Sequence, residues 1–144
     1  MKNSKSRAHK KKLPAKEIEL IVIDEKAGLI FESEKDLHGY FAKAIDHLEE
    51  KYTKSRKATD FSDKAQVKLE KYLEDTLAEP DQIWKDESTF SDFNLSTYMK
   101  EIRTKSQEFT YVAICYTTQD EQSPTFVLTH FPTKDNETHD AFRT

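Results

Sequence analysis

Apolar positions along this chain change their period twice, and each change marks a boundary. In residues 17–24 the run Ile18, Leu20, Ile21, Val22, Ile23 is dense in β-branched side chains and predicts a strand. Its apolar residues fall at both parities, so at least part of the strand must be covered on both sides. Residues 24–28 supply turn chemistry, and Leu29-Ile30-Phe31 reads as the return strand of a hairpin. From Leu37 the spacing becomes helical. Leu37, Phe41, Ala44, Ile45, Leu48 and Tyr52 form one stripe, Ser33 and Asp36 resemble a capping box, and the helix extends to about Lys54. Polar, basic residues 53–61 read as a connection. Ser62 then caps a second helix with the stripe Ala65, Leu69, Tyr72, Leu73, Thr76 and Leu77, which Pro80 stops.

Beyond Pro80 the period returns to two. Ile83 and Trp84 make a short apolar anchor, followed by a polar loop to about Phe93. Residues 96–103, 109–117 and 125–131 read as strands, and residues 118–124, which hold no apolar side chain, suit an exposed hairpin loop. Consecutive strands with short links pair antiparallel, giving a meander. The order hairpin, two helices, meander predicts an α+β fold with the helices packed on one face of the C-terminal sheet. The other face or its rim is then the place for a site.

Composition narrows the function classes. A chain of 144 residues fits one domain, and 16 aromatic residues argue against disorder. Two glycines, Gly28 and Gly39, build no glycine-rich phosphate loop, which excludes P-loop and Rossmann readings. One cysteine, Cys115, forms no internal disulfide and belongs to no CxxC pair, and it reads as a buried inert thiol. The acidic residues between Glu74 and Asp92 lack regular ligand spacing, so neither a metal nor another cofactor is expected. No apolar run spans a bilayer, and no h-region follows the basic start, so no membrane association and a cytoplasmic location are expected.

Charge is unevenly spread. Residues 1–12 hold Lys2, Lys5, Arg7, Lys10, Lys11 and Lys12 with no acid. The remaining 17 Lys and Arg face 27 Asp and Glu, a net charge of −10 for residues 13–144. Residues 1–14 therefore read as a basic flexible arm, solubilising or polyanion-seeking, on a single domain over 15–144.

The chemistry-bearing candidates sit at element ends. His130 ends the last strand beside Thr129, where a polar pair needs solvent or partners. Simple alternation puts Phe126, Leu128 and His130 on one face and Val127, Thr129 and Phe131 on the other. Arg103 ends the first meander strand, with Lys100 one pleat earlier and Lys105 just beyond. His38 lies at the edge of the first helix's apolar stripe, whereas His47 falls off it, His9 lies in the arm and His139 in a polar tail. A base, an acid and a cation to hold phosphate are what metal-free RNA cleavage requires. His130, Thr129, Arg103 and His38 are the candidate catalytic set, and Lys100, Lys105 and Tyr111, whose ring suits base stacking, are candidate nucleic-acid contacts. For each there is a plainer role: packing, capping or strand-edge protection.

Residues 69–84 lead from a helix into Pro80-Asp81-Gln82-Ile83-Trp84, and the last strand closes on Thr129-His130-Phe131-Pro132. These motifs resemble phage-associated barnase–EndoU–colicin E5/D–RelE type nuclease domains, with a proline-aspartate-x-x-tryptophan turn and a threonine-x-phenylalanine signature. The resemblance covers roughly residues 69–133 and leaves out the N-terminal hairpin. It implies helices preceding a four-stranded meander and a metal-independent ribonuclease, an RNA-cutting domain of toxin or phage origin. By position it carries over Thr129, with His38 as a helix-borne partner. Two departures stand out: His130 occupies a place where a smaller residue is expected, and the body is acidic where a ribonuclease is usually basic. They motivate the alternative of a non-catalytic protein-binding module, an immunity- or antitoxin-like partner or a degenerate nuclease, because an acidic surface pairs with basic partners and excludes RNA.

Overall fold

Two serines start the helices where their spacing predicts. The Ser33 hydroxyl accepts from the Asp36 amide ahead of α1 (Glu34–Ser55), and the Ser62 hydroxyl accepts from the Ala65 amide ahead of α2 (Asp63–Leu69). The computed structural model describes residues 9–13, 18–86 and 94–143. After α2 the backbone tightens into a 3-10 turn at Glu70–Tyr72 before α3 (Leu73–Ala78), so the single expected second helix is two short ones.

Strands form two antiparallel sheets. β1 (His9–Leu13), β2 (Ile18–Asp24) and β3 (Leu29–Phe31) make a three-stranded sheet in that order. β4 (Gln82–Asp86), β5 (Leu95–Arg103), β6 (Glu108–Thr117) and β7 (Pro124–Thr133) make a four-stranded meander, and α4 (Asn136–Ala141) follows. The chain is α+β, as its sequence order predicts. Two strands go beyond the pattern. β1 lies in the basic segment, where Lys10, Lys11 and Lys12 offer no hydrophobic alternation, and β4 takes the place of the expected apolar anchor. The polar loop expected before Phe93 falls at 87–93, outside the described residues.

The helices occupy both faces of the meander, not one. Leu37, Phe41, Ala44 and Leu48 of α1 join Ile21 and Ile23 of β2 against Leu95, Met99, Val112, Ile114, Tyr116, Phe126, Leu128 and Phe131. On the opposite face Leu69, Leu73 and Leu77 pack against Tyr98, Ile102, Phe109, Tyr111, Ala113, Cys115 and Val127. The cause is written in β6. Its run Tyr111-Val112-Ala113-Ile114-Cys115-Tyr116 is apolar at both parities, so each face needs a cover. At roughly 25 cal/mol per Å² of apolar surface, leaving either face open would cost several kcal/mol.

Two buried carboxylates fix the ends. Asp24, 3% exposed, accepts from the Tyr116 hydroxyl at 2.8 Å and from the Ala27 and Gln119 amides, tying the small sheet to the β6–β7 hairpin end. At the opposite end Asp60 accepts from the Phe61 and Lys134 amides and from the Thr133 hydroxyl. The Thr138 hydroxyl donates to the Ser55 carbonyl at 2.9 Å, which seats α4 beside the end of α1. That polar end holds a cleft.

Candidate active site

Register decides which face each side chain joins. Met99 pairs with Val112 and Arg103 with Glu108, so Glu101, Arg103, Glu108 and Thr110 extend the α1 face past the end of its apolar core. Thr133, paired with Thr110, continues the row on β7. These residues, with Lys134, Asp135, Asn136 and His139, line a cleft of about 180 Å³ between the sheet end and α4.

The cleft gathers a cation, carboxylates and an imidazole. Arg103, 74% exposed, lies 3.9 Å from Glu108 across the β5–β6 pair. His139 is 16% exposed at its side chain, and its Nδ1 meets Asp140 Oδ1 at 3.1 Å. The hydrogen bond from His139 and the nearby Arg143 guanidinium hold the Asp140 carboxyl below the usual carboxylate range. Arg143 donates to the same oxygen at 3.3 Å and stacks over Trp84, 4.8 Å from its ring centre. Asp135 starts α4 by accepting from the Glu137 amide, and Thr133 accepts from the Asp135 amide, so the turn that presents His139 is hydrogen-bonded on both sides. Among the described residues, no group of three or more His, Cys, Asp and Glu side chains is placed to hold a metal ion.

The residues singled out in the sequence divide among three places. Arg103 lines the cleft, and Lys105 stands exposed in the turn beside it, where Thr104 bonds back from Gln107. Thr129 lies on the same face but two rows inward, 9% exposed and paired with Ile114. His38 is at the far end of that face, edge-on to Phe126 and 3.7 Å from Glu34.

His130, Lys100 and Tyr111 face the other way. A β-bulge between Ile114 and Cys115 in the β6–β7 register places Leu128 and Thr129 opposite one step of β6. That shift reverses the expected alternation: Val127 and His130 share the α2–α3 face, and Phe131 joins Phe126 and Leu128 on the α1 face. His130 Nδ1 meets the Tyr111 hydroxyl at 2.7 Å. Tyr111 is fully buried, so its ring is no platform for a base, and burial raises its phenol well above the ordinary range, keeping it protonated. Lys100 donates to the Glu79 carbonyl at 2.8 Å, at the C-terminal end of α3. The four proposed catalytic residues therefore do not share a cleft.

The sequence pattern does not single out the cleft residues His139, Glu101 and Glu108. One signal was present: Asp135 followed by Glu137 is a helix start, which turns the apparent tail around His139 into an element.

A family model described as phage-Barnase-EndoU-ColicinE5/D-RelE like nuclease2 matches residues 16–144. The chain belongs to this nuclease family. The match reaches well beyond residues 69–133 and takes in the β2–β3 hairpin, α1 and α4, so the elements around the cleft all belong to the family domain. No curated protein and no solved structure matches the chain. Among the described residues no helix is long and apolar enough to cross a membrane.

Proposed function

We propose that this nuclease-family domain cleaves RNA without a metal ion, in the cleft at the α4 end of its sheet. The observation that carries the reading is that Arg103, Glu108 and His139 line one cleft. Glu108 takes the proton of a ribose 2′-hydroxyl as its oxygen attacks the adjacent phosphorus. Imidazolium His139 gives a proton to the departing 5′-oxygen, leaving a 2′,3′-cyclic phosphate and a free 5′-hydroxyl. Arg103 leaves its exposed pairing with Glu108 to hold the phosphate, where charge builds in the transition state. Thr110 offers a hydroxyl on the same floor.

The test is cleavage of single-stranded RNA in excess chelator. Wild type cuts and leaves cyclic phosphate ends, an all-deoxy strand stays intact, and Glu108→Gln loses about 10²- to 10⁴-fold in rate. RNA that survives wild-type protein, with and without added divalent cations, would leave the family's nuclease chemistry without a working site here. A domain active in this way acts as a toxin when expressed alone: induction in a bacterial host arrests growth, and the Glu108→Gln variant does not.

A further inference from the structure

The cleft leaves the most strongly charged feature of the chain unused. Residues 1–12 carry six Lys and Arg and no acid, in front of a body of net charge −10. Part of this segment is β1, whose Lys10, Lys11 and Lys12 pair in register with Ile21, Leu20 and Glu19 of β2. Pairing along five residues sets this stretch of backbone in register beside β2. β1 lies outside the residues 16–144 that the family model matches.

Its place is also informative. His9 pairs with Val22, two residues from Asp24, and Asp24 is bonded to Tyr116 and Gln119 at the β6–β7 hairpin end. The cleft sits at the opposite end of those strands, around Glu108, Thr110 and Thr133. The six steps from Thr110 to Tyr116 separate the two ends of β6 by about 20 Å at the usual strand rise.

We propose that β1 is a second, remote contact for the RNA backbone, binding phosphates several nucleotides from the one cleaved in the cleft. The inference rests on RNA being the substrate, but it does not depend on the roles given to Glu108 and His139. The acidic body repels a polyanion in general, so an isolated basic strand sets where along the surface a long strand is held. Short substrates that fill the cleft do not reach it. Lysine on an edge strand also blocks edge-to-edge pairing, a role that alters aggregation and leaves RNA affinity untouched.

The experiment uses the full chain and the triple variant Lys10→Gln, Lys11→Gln, Lys12→Gln. Binding is measured to a 30-nucleotide 2′-O-methyl RNA, which lacks the attacking hydroxyl, and to a trinucleotide, across a salt series. Each single-strand phosphate contact contributes about 0.7 to the slope of log affinity against log salt. The variant should therefore lose about 2 from the slope for the long strand, and nothing for the trinucleotide. A Lys→Arg triple variant keeps both values and shows that charge, not strand geometry, is read. An unchanged slope on the long strand overturns the proposal. So does a charge-dependent affinity for phosphatidylserine vesicles with no change toward RNA. Because the analogue is not cleaved, a domain that fails to cut RNA still gives a binding answer, and the two failures are distinguishable.

Discussion

The two faces of the meander hold polar groups of different kinds. On the α2–α3 face the Tyr111 hydroxyl and His130 Nδ1 answer each other at 2.7 Å beneath a helical cover, and Lys100 is bound to the α3 end. These groups are bonded into the fold. At the end of the α1 face Arg103, Glu101, Glu108 and His139 surround a solvent-reaching cleft, and the Arg103–Glu108 pair is mostly exposed. An exposed pair contributes at most about 1 kcal/mol to stability, so both partners can be turned toward a substrate at small cost. The contrast teaches that a strand-end histidine is not a site in itself. What it faces, and whether that face is covered, decides.

Variants that treat the faces separately break or sharpen this contrast. The largest effect is expected from Arg103→Ala, which lowers RNA cleavage by about 10²- to 10³-fold while moving the urea midpoint hardly at all. A large loss of stability would make Arg103 a structural residue. On the other face Tyr111→Phe removes the His130 partner and costs about 1–2 kcal/mol in denaturant unfolding, with cleavage rate per folded molecule unchanged. Equal loss of activity in both variants would erase the distinction.

The third expectation concerns pH. Burial pushes the Tyr98 phenol, on the α2–α3 face, up to about 12, with Cys115 adding to it, and Tyr111 moves in the same direction. The unfolded phenol titrates near about 10. A raised folded value favours the protonated form in the native state, so this stability is complete below about pH 10 and lost as pH rises through 12. Unfolding followed from pH 9 to 12 should show the decline, and Tyr98→Phe should flatten it. Glu108→Gln should leave the decline in place.

Much of this arrangement was legible in the residues. The hairpin, the serine-capped helices and the last three strands follow from period and capping, which are local properties. Placement of helices on both faces was legible too, because Val112-Ala113-Ile114 is apolar at both parities, as Ile21-Val22-Ile23 is. The bulge at Leu128–Thr129 was not, because one extra residue changes no composition and yet moves His130 to the other face. For the candidate cleft, Arg103 was legible because strand-end cations stand out. His139 was not, because its position depends on Thr138 and Asp135 anchoring α4 to the end of α1 and β7, contacts made across 83 residues in the case of Ser55.

The central claim is that chemistry belongs to the α4 end of the α1 face and not to the His130 face. The most direct measurement compares His139→Ala and His130→Ala with wild type in chelator on single-stranded RNA, with rates corrected for folded fraction. The account predicts that His139→Ala loses about 10²-fold or more and that His130→Ala cuts at nearly the wild-type rate. An inactive His130→Ala beside an active His139→Ala would contradict it.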